Sequence, residues 1–393
     1  MSHQKIRIAI DANEANIKSR VGSNVYAFEI IKAIHQLSKN NQALDFTILL
    51  SRPPITDLPP QRMGWRYKVI KPALLWTQFA EPIHLFINSK KIDVLFTPGH
   101  YAPRYSAVPY ISSVMDLAYL EYPNQFNEND LIKLKQWTKY SVKKASRVVA
   151  ISKFTKNDVI QHYRKKSDDV VVAYPATNEI TPASASQTRK FLKKHQIKRP
   201  YFLFLGTIQP RKNLIRLIEA YEQLCRRLSS QQFKKSKKNN SQPQLVLAGK
   251  IGWLAEPIID RIKESSFSKN IILTGYVPND IKPALYEKAA ASLLLGLHEG
   301  FGIPPLESLQ YGCVPIVSNT TSLPEVVGEA GFQVNPNDTK EISIAMEKAL
   351  KLSVKNKAIY KRKAKNQLKK FSWQKSAQII IDTIRQVAHE HSK

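Results

Sequence analysis

The sequence predicts an α/β protein with two Rossmann-like domains, each built on a parallel sheet. Short apolar, β-branched runs alternate with helix-length amphipathic runs along the chain, which is typical of parallel sheets covered by helices. The length of 393 residues is sufficient for two hydrophobic cores. The alternation is interrupted near residues 178–200 by a segment with little strand character and two prolines, Pro182 and Pro200. We therefore predict a first domain over 1–178, a linker region over 179–200 and a second domain over 201–371.

The strands and helices follow in order from these runs. Seven strands are predicted in the first domain, at 6–10, 46–50, 67–70, 94–96, 110–114, 147–151 and 170–173. Six are predicted in the second, at 201–205, 245–248, 271–273, 292–295, 314–318 and 332–334. Helices are predicted at 24–36, 128–144 and 213–228, and in the last of these the apolar residues share one helical face. The charged, low-complexity segment 233–242 predicts a disordered surface insertion.

The chain has a large positive charge. Its 60 Lys and Arg residues exceed 31 Asp and Glu residues, which gives a net charge of +29. Such a surplus favours an anionic partner. The cations cluster in residues 133–144 and 355–370, and at Lys153, Lys156, Arg164, Lys165 and Lys166. A solvated basic surface is one interpretation, and attachment of these basic helices to anionic lipid headgroups is the functional one we prefer. Nucleic acid is disfavoured because no DNA- or RNA-binding signature accompanies the charge.

The sequence also indicates a compartment. There is no apolar run of 18 or more residues, and residues 5–10 alternate like a strand, without the apolar core of a signal peptide. The two cysteines, Cys225 and Cys313, lack metal-type spacing and suit a reducing environment. We expect a cytoplasmic protein that associates peripherally with the inner face of the membrane.

The most informative motif is residues 297–307, Leu-His-Glu-Gly-Phe-Gly-Ile-Pro-Pro-Leu-Glu. It places Glu299 before a glycine turn and Glu307 inside a helix that the proline pair can begin. The N–H groups and dipole of a helix N-terminus favour an anion, and the two carboxylates can accept hydrogen bonds from hydroxyls. The set suits a nucleotide sugar, with a phosphate in the middle and polyols at both ends. An ordinary surface loop is the alternative.

A second motif, residues 206–213, reads Gly-Thr-Ile-Gln-Pro-Arg-Lys-Asn and joins a predicted strand to a predicted helix. Asn213 is predicted as the helix N-cap. Arg211 and Lys212 would form a diphosphate clamp there, since cations, dipole and N–H groups act together. Gly206 begins the motif and lies where the strand ends. The alternative is a flexible basic turn.

Weaker candidates follow other strands. Gly22 could turn backbone N–H groups toward a phosphate or sugar, and Asp116 could orient an acceptor hydroxyl or cap a loop. Lys250, Tyr276 and Val277 could wall a base pocket or simply form tight turns. No Asp-x-Asp triplet and no phosphate-binding P-loop is present, so we expect no metal ion and no cofactor.

Together these motifs resemble the family-4 retaining glycosyltransferases of the GT-B fold, often labelled glycosyl transferases group 1. The resemblance spans nearly the whole chain and is strongest at 206–213 and 299–307, the paired-glutamate motif. The pattern over 112–152 is most similar to bacterial GDP-mannose-dependent mannosyltransferases. It implies an acceptor-side first domain and a nucleotide-sugar-binding second domain facing a central cleft. It also implies a last helix within 372–393 that packs back on the first domain.

The resemblance implies a reaction and roles. A hexose, with mannose favoured, would move from GDP-mannose or another NDP-sugar to a hydroxyl of a saccharide or lipid-linked saccharide, as in cell envelope polysaccharide biosynthesis. Arg211 and Lys212 would hold the diphosphate, Glu299 the transferred sugar, and Glu307 the ribose. The remaining donor contacts implied are Gly22, Gly300, Phe301, Gly302 and Ile303.

Three positions depart from the family pattern. Met115 stands where a histidine is frequent, Asn24 replaces a glycine, and Leu295-Gly296 replaces Pro-Ser. Several alternatives therefore stay open. One is another enzyme of this architecture, such as a sugar-phosphate synthase or an isomerising, epimerase-like protein. Another is a non-catalytic nucleotide-sugar-binding protein. The third is a nucleic-acid-binding protein.

Overall fold

The computed structural model describes residues 5–99, 101–232 and 242–391, without the side chains of residues 231 and 232. The predicted disordered insertion lies outside the described residues except for Gln242. The chain divides into two compact units: unit 1 is Met1–Pro175 with Ser372–Lys393, and unit 2 is Ala176–Phe371.

Unit 1 contains a seven-stranded parallel sheet. Its strands are β1 (Ile6–Asp11), β2 (Leu44–Leu50), β3 (Trp65–Val69), β4 (Val94–Thr97), β5 (Tyr110–Val114), β6 (Arg147–Ala150) and β7 (Val170–Val172). They are ordered β3-β2-β1-β4-β5-β6-β7. The helices between them are α1 (Ser23–Leu37), α2 (Ala80–Ile87), α3 (Ala118–Glu121), α4 (Glu128–Lys144) and α5 (Lys153–Tyr163).

Unit 2 contains a six-stranded parallel sheet. Its strands are β8 (Tyr201–Leu205), β9 (Gln244–Ala248), β10 (Ile271–Gly275), β11 (Ala291–Leu294), β12 (Pro315–Ser318) and β13 (Phe332–Val334), ordered β10-β9-β8-β11-β12-β13. Its helices are α6 (Ala185–Lys194), α7 (Leu214–Gln232), α8 (Glu256–Glu264), α9 (Lys282–Lys288), α10 (Ile303–Gln310), α11 (Leu323–Val327), α12 (Thr339–Leu350) and α13 (Val354–Leu368).

The predicted fold class, two parallel-sheet Rossmann-like domains, is confirmed. Each predicted strand is present, with ends that differ by at most two residues. The apolar runs form strands because both faces of a parallel sheet are buried under helices. Ile8, Ile10, Phe46 and Phe96 are at most 2% exposed in unit 1, and Phe202 is fully buried in unit 2.

Helix α14 (Trp373–His391) belongs to unit 1, although it follows unit 2 in the chain. The Trp373 ring lies 5.9 Å from the ring of Tyr26 in α1. The Ser376 hydroxyl donates to the Tyr174 carbonyl at 2.6 Å. Within the described part of the chain, α14 and the other helices are all too short or too polar to cross a bilayer.

The segment predicted as a linker, 179–200, contains helix α6 and belongs to unit 2. The helix begins with a capping box, because the Ser184 hydroxyl accepts from the N–H of Gln187 and the Gln187 side chain accepts from the N–H of Ser184. Phe191 and Leu192 then pack against the core of unit 2. The Ser-x-x-Gln pattern was a readable signal for this helix.

The predicted N-cap role of Asn213 is wrong. Asn213 directly precedes α7, but its φ of 57° turns the chain between the short 3₁₀ turn Pro210–Lys212 and the helix. Its side chain donates to the Pro336 carbonyl at 2.7 Å and accepts from the Arg216 guanidinium at 3.1 Å. The Asn213 side chain therefore ties this turn to the loop after β13, and it is the backbone carbonyl of Asn213 that accepts from an N–H of α7, that of Leu217.

Candidate active site

The carboxyl ends of β8, β9 and β10 bring three loops of unit 2 together. The N–H of Gly206 donates to the Ala248 carbonyl, and that of Gly249 donates to the Gly275 carbonyl, both at 2.9 Å. Gly249 has a φ of 150°, and a Cβ there would lie 1.9 Å from the carbonyl oxygen of Gly206. Glycine is thus required for the loops to approach this closely.

The predicted base-pocket residues lie on these loops. Lys250 is exposed, and its Nζ lies 5.3 Å from the ring centroid of Tyr276, whose residue exposure is 60%. Together they present an aromatic face and a cation to solvent. Val277 is only 4% exposed and packs in the core of unit 2. Its side chain therefore serves the core, and only its backbone is available to a ligand.

Arg211, Lys212 and Glu299 converge. The Lys212 ammonium donates to both oxygens of the Glu299 carboxylate, at 2.7 and 2.9 Å. The Arg211 guanidinium donates to the His298 carbonyl at 2.9 Å and lies 3.4 Å from Glu299 Oε2. The side chain of Lys212 is 14% exposed, that of Arg211 is 15% exposed and that of Glu299 is 7% exposed. Both cations thus contact one carboxylate in a largely desolvated place, where charge interactions are strong.

The backbone around Glu299 is fixed by two buried serines that sequence reasoning missed. The Ser322 hydroxyl contacts the carbonyls of Glu299 and Phe301, at 2.7 and 2.8 Å. The Ser318 hydroxyl donates to the Gly296 carbonyl at 2.8 Å. Both serines are fully buried. Ser318 is the last residue of β12 and Ser322 follows that strand, which neighbours β11 in the sheet.

Gly296, one of the departures from the family pattern, makes room for the carboxylate. A Cβ on this residue would lie 2.3 Å from Glu299 Oε1. Real Cβ atoms do not approach an oxygen so closely, so any other residue would displace the Glu299 side chain. The unusual Leu295-Gly296 sequence is therefore matched to the position of this glutamate.

The glycine turn after Glu299 leads into α10 as the motif predicts. Gly302 precedes the helix with a φ of 109°, and a Cβ there would lie 2.6 Å from Leu323 Cδ2. Phe301 is buried, with its ring 5.4 Å from that of Phe371. Gly300, Phe301, Gly302 and Ile303 thus form the entrance to the N-terminus of α10, whose first N–H groups have no partner within the helix.

Glu307, the second glutamate, lies in α10 beside α9. The Tyr286 hydroxyl donates to its Oε2 at 3.0 Å, and Lys282 Nζ lies 3.8 Å from its Oε1. Burial raises the pKa of the Glu307 carboxyl, and the charge of Lys282 and the Tyr286 hydrogen bond act in the opposite direction. The side chain is 13% exposed, so it keeps an opening to solvent. Its neighbours are a tyrosine and a lysine that the motif alone did not indicate.

In unit 1, Gly22 lies before α1, with a φ of 53°, and nothing lies within 4 Å of a Cβ built there. The loop is attached to Glu14, whose Oε2 accepts from Asn24 Nδ2 at 2.5 Å and from Ser23 Oγ at 3.2 Å. Gly99 leaves room for this glutamate, since a Cβ there would lie 2.5 Å from Glu14 Cγ. Asn24, which replaces the family glycine, therefore anchors the loop through its side chain.

Asp116 follows β5, and its Oδ1 accepts from the N–H of Ala118 at 3.1 Å. This contact is the loop cap that was one of its two predicted roles. Met115, the preceding residue, is only 6% exposed. A side chain at this position belongs to the core of unit 1, so Met115 is an apolar packing residue.

Two acids of unit 1 with raised pKa values, the partly buried Asp11 and the buried Glu81, were not predicted. Burial raises the pKa of Asp11, at the end of β1, from 3.8 to about 7, and the Glu14 charge adds to the rise while Asn13 opposes it. Glu81 in α2 is fully buried, and neither of its oxygens has a hydrogen-bond partner among the described residues. Burial, reinforced by the Asp11 charge, raises the pKa of Glu81 well above 4.5. These acids take up protons at far higher pH than ordinary carboxyls.

Comparison with known proteins identifies a family and several relatives that match this chain. The model of the family Glycosyl transferases group 1 matches residues 187–367. The chain is 27% identical over 279 residues to O-antigen chain mannosyltransferase B of Escherichia coli, covering 70% of each protein. It is 34% identical over 272 residues to the serotype-specific mannosyltransferase WbdA of Escherichia coli. That match covers 67% of this chain but spans 31% of WbdA.

A solved structure shares the fold. The crystal structure of Anabaena Alr3699/HepE in complex with UDP and glucose matches with a TM-score of 0.70 and 14% sequence identity. The match covers 97% of this chain and 100% of that protein. The family match includes the segments that carry Arg211, Lys212, Glu299 and Glu307.

Proposed function

Because the chain belongs to the glycosyl transferases group 1 family and is a glycosyltransferase, we propose that it transfers mannose from a nucleotide-diphosphate sugar. The acceptor is a hydroxyl of a saccharide or lipid-linked saccharide, and the anomeric configuration is retained. Mannose is supported by the names of the relatives, which are O-antigen and serotype-specific mannosyltransferases. The observation that supports the donor class is the contact of Arg211 and Lys212 with the Glu299 carboxylate.

The chemistry follows from that contact. When the bond between sugar and nucleotide breaks, negative charge develops on the β-phosphate and positive charge on the sugar. Arg211 and Lys212 are held in place before donor arrives, so they stabilise the phosphate without reorganisation. Removing one such preorganised donor typically costs about 2.7–4 kcal/mol of activation free energy. Glu299 keeps lone pairs for the sugar hydroxyls while it orients both cations.

The other donor contacts have separate roles. Glu307 accepts from the ribose hydroxyls through the oxygen that Tyr286 does not occupy. The exposed Tyr276 ring, with Lys250 above it, stacks on the base. The entrance to α10 at Gly300–Ile303 supplies N–H groups to the transferred sugar or phosphate. Gly22 and Asp116 contribute on the acceptor side.

Arg211, Lys212 and the N–H groups at the start of α10 offset the charge of the diphosphate. On this basis we propose a metal-independent reaction with no cofactor. The acceptor attacks the face of the sugar that the nucleotide leaves, and the departing phosphate takes the acceptor proton. This front-face route leaves the configuration unchanged and needs no enzyme nucleophile. Attachment of basic helices to anionic lipid headgroups is part of the same proposal for a lipid-linked acceptor.

The proposal is tested by donor binding followed by product analysis. Thermal-shift measurements with a panel of GDP- and UDP-sugars should show the largest rise in melting temperature with GDP-mannose. Labelled donor with a mannoside acceptor, in the presence of a chelator, should give an α-linked product from an α-linked donor. An isomerised donor, a β-linked product or a strict metal requirement would each contradict the corresponding part of the proposal.

A further inference from the structure

An unusual apolar surface lies in unit 1, on the segment between β3 and β4. It comprises exposed apolar side chains between β3 and the end of α2, and we call it the 74–87 face. Exposure reaches 80% at Leu74 and 73% at both Phe86 and Ile87. The other members are Leu75 at 51%, Phe79 at 56% and Ile83 at 56%.

The helix explains why these side chains share one direction. Phe79, Ile83, Phe86 and Ile87 follow the spacing of one helical face, with intervals of four, three and one residues. The opposite face of α2 is already buried, through Ala80, Glu81 and Leu85. A surface helix normally turns polar residues to solvent. Here the outward face is as apolar as the inward one, and contiguous apolar surface of this kind marks an interaction site.

Cations border the 74–87 face on both sides in the chain. Lys68 and Lys71 precede it and Lys90 and Lys91 follow it, and all four are exposed. Burial and then the charge of Lys68 lower the pKa of His84 in α2, so Lys68 lies close to this helix in space. The only acid within residues 68–91 is Glu81, which is fully buried. The surface therefore combines exposed apolar side chains with uncompensated positive charge.

We propose that the 74–87 face docks on an anionic lipid bilayer, with its apolar side chains in the headgroup boundary and the four lysines on lipid phosphates. Helices with this division of apolar and cationic residues lie in the plane of a membrane interface. A second copy of the chain fits less well. A two-fold interface would oppose the same lysines in a protein of net charge +29. The inference does not depend on the donor chemistry proposed above.

The basic helices α4 and α13 offer a useful contrast. In α4, Ile132 is an exposed large apolar residue, and in α13 these are Val354 and Ile359. Their attraction to a membrane is mainly electrostatic and is screened by salt. The 74–87 face adds apolar insertion, which salt does not screen. It should therefore be the dominant docking surface.

The test is co-sedimentation of the full chain with vesicles of phosphatidylcholine, with and without phosphatidylglycerol. Wild type should bind the anionic vesicles and not the neutral ones. The double substitution Phe86→Ser, Ile87→Ser should weaken binding about tenfold or more, since both side chains are largely exposed in the protein and would be buried in lipid. Lys90→Gln with Lys91→Gln should weaken binding at low salt and have less effect at high salt.

The matched control is Val354→Ser with Ile359→Ser in α13, which should bind vesicles like wild type. Donor-induced thermal shift should be unchanged in all these variants, which separates this inference from the proposed reaction. Absence of binding to anionic vesicles would overturn the inference. So would unchanged binding after Phe86→Ser, Ile87→Ser. Self-association that is abolished by that pair and strengthened by salt would assign the face to a second copy instead.

Discussion

The two sheets end in opposite electrostatic surroundings. At the strand ends of unit 2, the buried Glu299 is matched by Arg211 and Lys212 within 3.4 Å. In unit 1, burial raises the pKa of Asp11 at the end of β1 to about 7, and Glu81 in α2 has no hydrogen-bond partner among the described residues. Burial of a carboxyl therefore has two outcomes in one chain. Unit 2 holds fixed charges suited to phosphate, and unit 1 holds two carboxyls whose pKa values are raised by burial.

The largest expected effect is on stability in unit 1. An acid with a raised pKa in the folded state favours folding while it stays protonated. This contribution is fully present below the unfolded pKa of 3.8 and is lost as pH rises to about 7. Asp11→Asn should remove that loss. The free energy of unfolding of wild type should fall relative to the variant between these pH values, by up to about 4 kcal/mol at about 1.4 kcal/mol per unit.

Denaturant unfolding at a series of pH values measures this difference. Asp57→Asn is a suitable control, because the Arg20 hydrogen bond leads the factors that lower the pKa of the Asp57 carboxyl. Its profile should not show the gain above pH 4 expected for Asp11→Asn. Parallel profiles for wild type and Asp11→Asn would show that Asp11 is not held in its protonated form, and the comparison between the two units would fail.

The next largest expected effect is on the rate of sugar transfer, through the ion-paired residues of unit 2. Lys212→Ala should lower kcat by about 10²–10³-fold, which corresponds to about 2.7–4 kcal/mol for a preorganised donor to developing charge. Glu299→Gln should lower it as well, because the cations lose their common partner. The double variant should lose less than the sum of the two, since the residues form one network.

Initial rates with labelled GDP-mannose test this coupling. Lys263→Ala is the matched control, because Lys263 is also ion-paired, to Asp260, but its side chain is 69% exposed. Full activity in Lys212→Ala would show that catalysis does not require the Lys212–Glu299 ion pair. Strict additivity of the two substitutions would show that Glu299 and Lys212 act independently despite their contact.

Glu307 is intermediate between Glu81, which lacks a hydrogen-bond partner in the described part of the chain, and the ion-paired Glu299. Burial raises the pKa of Glu307, while Lys282 and Tyr286 oppose the rise. Glu307→Gln should raise KM for the donor with a smaller change in kcat, by about 1.5–3 kcal/mol in kcat/KM for a hydrogen bond to a charged group. Tyr286→Phe should have a smaller effect in the same direction. A loss confined to kcat would contradict a ribose-binding role.

The features predicted correctly from the sequence are those that depend on local sequence patterns. Apolar runs located the strands, and the rule that ligands bind beyond strand ends brought Arg211, Lys212 and Glu299 into one hypothesis. The buried serines Ser318 and Ser322 could not be read in this way. Their partners are carbonyls that only the three-dimensional arrangement of neighbouring strands brings within reach.

The exposed face of α2 shows the same limit. Residues 79–87 are apolar on both helical faces, so periodicity cannot say which face meets the sheet. Packing of Ala80 and Leu85 into the core of unit 1 decides it and leaves Phe86 and Ile87 outside. The charge in the sequence predicted an anionic partner, whereas the exposed apolar side chains beside the lysines became visible only in the structure.

The smallest expected effect concerns the space that positions Glu299. In Gly296→Ala the new Cβ would meet Glu299 Oε1 at 2.3 Å, so the carboxylate must move away from Lys212. We expect a cost of about 1–3 kcal/mol, which is typical of overpacking, shared between stability and kcat. Combining it with Glu299→Ala removes the clashing side chain, so the stability cost of the added methyl should largely disappear in that background. If Gly296→Ala cost the same stability with and without the Glu299 side chain, the glycine would be required by its own backbone, and the match between this loop and the glutamate would be coincidental.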